Sequence, residues 1–222
     1  VVFFEPSVHG LLPEYDLSDD PALVFAAHNY FESIGPGQPG SLERSFTLYD
    51  AVSRVFGTAL WIGEYGHFGD DASNNAWMER FAVGEDGTLV DGGTWWQWEQ
   101  ACGDPHSVQY PPSPAWLAEQ VTRCANARFT PTLCVRRAYP RAAPGRLVRL
   151  ADPACDGHLS LEGATPASGV ADLWIPSASD TAPVVSGPGV VAFESRRVPG
   201  GWRLAVTVEG TYALEVEPGA VP

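Results

Sequence analysis

The stretch LWIGEYG, residues Leu60–Gly66, decides how the first half of the chain is read. Leu60-Trp61-Ile62 is a short continuous apolar run, the pattern of a strand buried in a parallel sheet. It runs into Gly63, a lone carboxylate at Glu64, then Tyr65 and Gly66. Glycines tolerate unusual backbone angles and let other groups approach closely. An acid raised between them at the end of a buried strand faces a cleft. The plain alternative is a strand-end glutamate paired with an arginine.

Similar runs lie on either side. VVFF (1–4) ends at Glu5-Pro6, LVFAAHNYF (23–31) ends in polar and aromatic residues, and GGTWWQWEQ (92–100) is rich in tryptophan. Between the second and third strands, SLERSFTLYDAVSRVF (41–56) carries Leu42, Phe46, Tyr49, Val52 and Phe56 at helical spacing, with Ser41 as a plausible N-cap and Gly57 as a stop. NNAWMERFAV (74–83) is a shorter helix candidate, and SPAWLAEQVTRCAN (113–126) reads as a helix with Pro114 near its start. Strands alternating with helices predict a parallel sheet covered by helices, with sites at the carboxyl ends of its strands.

Near residue 130 the pattern changes. RLVRL, HLSLEG, ADLWIPS, VVAFESRRV, WRLAVTV and TYALEVE alternate with period two and are separated by turn signals such as VPGGW and EGTY. The expectation is an α/β domain over 1–130 followed by an all-β domain over 131–222, a small antiparallel β-sandwich.

The candidate chemistry gathers at strand ends. His28 and Tyr30 are two apart and face one side, where both can donate to a carboxylate, steady its charge and fix its rotamer. Trp96 and Trp98 also share a face, and an indole stacks on the C–H face of a sugar ring while its N–H bonds a hydroxyl. Glu5 is a second strand-end acid. Each has a bland alternative, a satisfied core His or Tyr, core-packed indoles, or a hydrogen-bond acceptor at the sheet rim. Trp174 and Trp202 read as core of the β domain. Asp19-Asp20 and Asp70-Asp71 read as solvated loop charge rather than a calcium site. His67, His106, Glu99 and Asp104 follow strand ends and are left open.

The order acid, His-x-Tyr, Gly-Glu-Tyr-Gly, Trp-rich strand resembles glycoside hydrolase family 5, and within it the endoglycoceramidase-like branch. FFEPS, AHNYF, WIGEYG and TWWQWE look like strands five to eight of that family's (β/α)8 TIM barrel, and RRAYPRAAPG (136–145) is similar to the entry to its appended β-sandwich. The resemblance implies the C-terminal half of a barrel plus that sandwich. It makes Glu64 the catalytic nucleophile, with His28 and Tyr30 lining the site and Trp96 beneath the sugar. Trp98 is a possible second platform and Glu5 a further cleft contact. The family's acid/base glutamate sits in an Asn-Glu-Pro motif, which does not occur in this chain. Phe4-Glu5-Pro6 carries Phe at the Asn position and fits strand five. No metal or organic cofactor is implied.

Composition narrows the partners. The net charge is −14, the pI is about 4.6, and all 13 basic residues are Arg. Such a chain suits neither a nucleic-acid backbone nor a polybasic membrane contact, and its apolar runs are too short to span a bilayer. Cys102, Cys124, Cys134 and Cys155 form no CxxC pair. Two local disulfides, with Cys102–Cys124 and Cys134–Cys155 preferred among three connectivities, would imply a secreted protein; four buried thiols are the alternative. A chain opening on VVFF without an initiator Met or signal peptide reads as a fragment. Its open sheet edges would invite the missing N-terminal half or another copy.

The function expected is retaining hydrolysis of β-glycosidic bonds in glycolipids or glucans, with the isolated chain inactive because the acid/base strand is absent. The alternatives are a non-catalytic carbohydrate-binding protein, and a β domain that itself binds polysaccharide or lipid.

Overall fold

The computed structural model describes residues 1–6, 19–33, 38–67, 71–96, 137–152 and 155–219. The chain divides into two compact units, Val1–Gly84 with Val90–Pro131, and Glu85–Leu89 with Thr132–Pro222. The shift in composition near residue 130 gave no sign of the small excursion at Glu85–Leu89.

In the first unit β1 (Val2–Phe4), β2 (Leu23–Asn29), β3 (Ala59–Tyr65) and β4 (Gly92–Trp95) form one parallel sheet in sequence order. Helix α1 (Ser41–Phe56) connects β2 to β3 and α2 (Asp71–Thr88) connects β3 to β4, as parallel neighbours require. Phe25, Ala27, Leu60 and Ile62 are buried on one sheet face. On that face Phe4 meets Phe56 of α1 edge-on at 6.0 Å, and Phe25 meets Tyr49 at 6.1 Å.

Helix α1 buries Leu42, Phe46, Tyr49, Val52 and Phe56, as its periodicity predicts. Gly57 ends it in the left-handed region at φ 62, its N–H bonding back to the Arg54 carbonyl. The start differs from expectation. Ser41 lies inside the helix, and the N-cap is Gly40, which has no side chain to offer. The acceptor comes from Glu32 instead, whose Oε1 takes the Leu42 N–H at 3.2 Å and the Ser41 hydroxyl at 3.4 Å. Arg80 of α2 grips Glu32 at 2.8 Å and Glu43 at 2.7 Å. The Arg80 hydrogen bond is the main cause that lowers the Glu32 carboxyl to about 2.

Helix α2 runs further than its apolar core of 74–83 suggests, passing through Gly84. A Cβ at Gly84 would stand 2.3 Å from the Phe46 ring. Glycine is there for close approach, and the helix carries its propensity cost of about 1 kcal/mol.

In the second unit all strand pairs are antiparallel: β5 (Tyr139–Ala142), β6 (Arg146–Ala151), β7 (Leu159–Pro176), β8 (Val184–Ser186), β9 (Val190–Val198) and β10 (Gly201–Glu217). The expected division into separate short strands is corrected here. HLSLEG and ADLWIPS are two ends of the single strand β7, and WRLAVTV and TYALEVE are two ends of β10. Short β5 and β8 had no clear pattern. The six strands form one sheet whose long strands change neighbours part-way: β7 pairs β6 and then β5, and β10 pairs β9 and then β8. Leu159 and Leu161 from one end of β7, Leu173 and Ile175 from the other, and Leu204, Val206, Tyr212 and Leu214 of β10 share one buried cluster. Each fully buried aliphatic contributes about 1.5–3 kcal/mol. The EGTY segment is an irregularity within β10, where Gly210 takes φ 63, rather than a chain reversal. Trp202 is buried, its N–H donating to the Ser179 carbonyl at 3.2 Å, while Trp174 is half-buried.

The Glu85–Leu89 turn is held by Arg137, whose guanidinium binds Asp86 and, at 3.1 Å, Glu85. Asp86 also accepts the Asp152 N–H at 2.9 Å. Burial pushes the Glu85 and Asp152 carboxyls up. Cys155 is buried and is not a free thiol. The other three cysteines lie outside the described residues, so the pairing stays an expectation.

Candidate active site

The register of the parallel sheet places Glu64. From Val24↔Ala59 to Ala27↔Ile62 the pairing advances one residue at a time, but the next pair is His28↔Glu64. On the other side Ile62↔Gly93 is followed by Tyr65↔Trp95. Both neighbours therefore see one extra residue on β3 beyond Ile62, a β-bulge. Side chains alternate along a strand, so one inserted residue exchanges the faces of all that follow. Regular alternation would put Glu64 on the Leu60–Ile62 face, against the helices. The bulge turns it to the opposite face, with His28, and sends Tyr65 to the helices. There Tyr65 stacks on Phe81 at 4.0 Å and 13°.

On the face away from the helices Glu64 meets its expected companions. The Tyr30 hydroxyl donates to Glu64 Oε1, and His28 Nδ1 lies 3.6 Å from Glu64 Oε2. The same His28 nitrogen lies 3.3 Å from Glu5 Oε1, so one imidazole stands between two carboxylates. Side-chain exposure is 28% for Glu64, 31% for His28 and 45% for Glu5, grading from the sheet outward. Gly63 makes this packing possible: a Cβ there would stand 3.0 Å from His28 Cδ2 and 3.1 Å from the Ala26 carbonyl. Its open space serves the imidazole of the neighbouring strand, where the sequence suggested the approach of a ligand.

The backbone behind the site is fixed from the helix side. Asn29 is fully buried and donates to Ser45 Oγ at 2.9 Å. The Tyr49 hydroxyl donates to the His28 carbonyl at 2.9 Å. Burial pushes that phenol up to about 12, so it remains a donor. Tyr49 was legible only as an apolar position of α1; a buried tyrosine's need for a partner was the available signal.

Trp96 follows β4 and is 43% exposed, with its backbone N–H bonded to the Tyr65 carbonyl at 2.8 Å. It sits at the same end of the sheet as Glu64. Trp95 points the other way, edge-on to Tyr65 at 5.6 Å. Trp98, Glu99, Asp104 and His106 lie outside the described residues. His67 bonds Asn74 at 2.7 Å and packs on Trp77, which ties it to α2. Asp20 accepts the Ala22 N–H at 2.9 Å, as a loop residue does.

This arrangement has solved counterparts. The chain superposes on the crystal structure of an endogalactoceramidase with a TM-score of 0.66 and 30% identity, over 90% of this chain and 43% of that one. Over nine-tenths of its length the chain thus resembles part of an endoglycoceramidase-type structure. Endo-glycoceramidase II from Rhodococcus sp. matches with a TM-score of 0.62 and 17% identity, over 89% of this chain and 43% of that one. A further structure of that enzyme is described as a lactosyl-enzyme intermediate and matches with a TM-score of 0.60. Sterylglucosidase 1 from Cryptococcus neoformans shares the fold at a TM-score of 0.52 and 13% identity, over 88% of this chain and 37% of that one. The chain thus spans less than half the length of each of these proteins. No protein-family model and no curated protein sequence matches it.

Proposed function

We propose that the parallel sheet is strands five to eight of a (β/α)8 barrel and that Glu64 is the nucleophile of a retaining glycosidase acting on β-linked glycolipids or glucans. The observation that carries this is the bulge that turns Glu64 toward Tyr30 and His28 at the carboxyl end of the sheet. A hydroxyl donor on one carboxylate oxygen and an imidazole beside the other fix the rotamer that an attacking carboxylate needs. The lactosyl-enzyme intermediate described for the Rhodococcus enzyme supports a covalent step in the family.

In retaining hydrolysis the nucleophile attacks the anomeric carbon and forms a glycosyl ester. A second carboxylic acid protonates the departing oxygen, then takes a proton from the water that hydrolyses the ester. The two carboxyls stand about 5–5.5 Å apart. Glu5 faces His28, and no Asn-Glu-Pro occurs in the chain. The acid/base is therefore assigned to sequence outside these 222 residues. Trp96, with Trp98 as a second platform, would stack on the sugar.

The test is turnover of an aryl β-glycoside. The 222-residue chain alone should give none, and measurable hydrolysis by it would overturn the assignment of the acid/base. In a longer polypeptide that carries the preceding strands, Glu64→Ala should lower kcat by at least about a thousandfold. Near-normal turnover in that variant would remove Glu64 as nucleophile. Sugar binding without turnover by the longer polypeptide would favour a carbohydrate-binding protein, a reading supported by the exposed Trp96 alone.

A further inference from the structure

Strand β9 is an open edge. Among the described residues it pairs β10 on one side only, and residues 191–197 are exposed on both of its faces. Val191 is 60% and Phe193 39% exposed, although Phe193 lies opposite the buried Val206. The strand overhangs the core. One irregularity falls at Val191; from Ala192 to Val198 the register with β10 is unbroken. Those seven residues offer a regular row of backbone donors and acceptors, a template for another strand.

Among the described residues the charges on this edge are only partly paired, with Arg197 lying 3.7 Å from Asp180. Arg196 stands directly across from Arg203, a like charge, and Arg203 already grips Asp172 at 2.7 and 2.6 Å. Glu194 stands across from Ala205. Among the described residues neither Glu194 nor Arg196 forms an ion pair. Arg197 bonds the Gly201 carbonyl at 2.7 Å and lies over the Trp202 ring at 5.5 Å.

We infer that β9 pairs with β9 of a second copy of this chain, antiparallel, about a two-fold axis at Ser195. Symmetry limits the registers. Opposed residues in an antiparallel pair alternate between two hydrogen-bonding environments, so a two-fold axis must pass where one residue faces itself. Centring on Glu194 sets Glu194 against Glu194. Centring on Arg196 sets Arg196 against Arg196. Centring on Ser195 sets Glu194 against the partner's Arg196, twice, and Phe193 against the partner's Arg197. Opposite charges across a strand pair stabilise by roughly 0.2–1 kcal/mol and like charges oppose it. The isologous contact closes on itself as a dimer and leaves no growing edge.

The test uses the full chain and two readouts. Sedimentation velocity should show a dimer; E194R or R196E alone should each raise its Kd at least about tenfold, and the double exchange E194R/R196E should restore it. Ser195→Cys should form an interchain disulfide under mild oxidation, because self-opposed residues in such a pair have Cα atoms about 4.5–5.5 Å apart, within disulfide reach. Ala192→Cys and the parent chain should not. A monomer at every concentration would overturn the proposal and leave these charges as guards of a bare edge. Association that ignores both charge reversals, or a Ser195→Cys chain that stays uncrosslinked, would also overturn it.

Discussion

The β2–β3 pairing and the β7–β10 pairing each break register beside a glycine, and the arithmetic of these two breaks differs. In the parallel sheet β3 gains one residue at the bulge after Ile62, an odd number, and its faces exchange. In the antiparallel sheet the pairs Val208↔Gly169 and Gly210↔Thr165 advance β10 by two and β7 by four, so the surplus is even. There the inward face persists: Leu159, Leu161, Leu173 and Ile175 all point to one core. An odd break redirects side chains and an even break bends a sheet without redirecting them. One builds a site and the other closes a core.

Altering the two breaks themselves tests this comparison most sharply. Gly63→Val sets a side chain 3.0 Å from His28 Cδ2 at the bulge, so the strand should regain regular alternation and drive Glu64 toward the helix face, where an unpaired buried charge costs about 3–5 kcal/mol. Denaturant unfolding should show that loss, and turnover in the longer polypeptide should vanish with it. Removing Ala167 and Ser168 together keeps the parity of β7 and should cost far less by the same measurement.

Leu204→Ala tests the closed core and should destabilise it by about 2–5 kcal/mol, read as a lower urea midpoint, with no effect on turnover while the protein remains folded. Tyr30→Phe tests the site. It removes a hydrogen bond to a charged group, worth about 1.5–3 kcal/mol, so kcat should fall roughly ten- to a hundredfold with little change in the midpoint. The smallest effect is expected at Arg80. The Glu32 carboxyl is lowered from 4.5 to about 2 in the folded state. Its contribution is complete above pH 4.5 and is lost as pH falls toward 2. Arg80→Ala should remove about 1 kcal/mol at neutral pH and flatten the stability profile between those limits.

Much of the first unit is legible because its signals are local. A sixteen-residue helix with five buried apolar positions declares itself, and apolar strands alternating with helices announce parallel pairing. The residues that meet at the site, Glu64, His28, Tyr30 and Glu5, stand out as polar groups at strand ends. What the sequence hides is register. Gly63-Glu64 reads equally well with or without a bulge, and only pairing to two neighbours fixes the face of Glu64. The cap of α1 is hidden for a related reason, since Glu32 reaches it from ten residues before Leu42. In the second unit Gly210 supplies the positive φ of a reversal but serves an irregularity, so two long strands read as four.

The long strands also govern how the β unit comes apart. A sandwich of two independent sheets can shed one and keep the other. Here β7 and β10 are common to both ends of the sheet, so loosening one end pulls on covalent chain that belongs to the other. Amide protons near Leu161 and Leu173, roughly 40 Å of extended strand apart at ~3.3 Å per residue, therefore share one opening event. Their exchange rates report a single cooperative body rather than two leaves of a book.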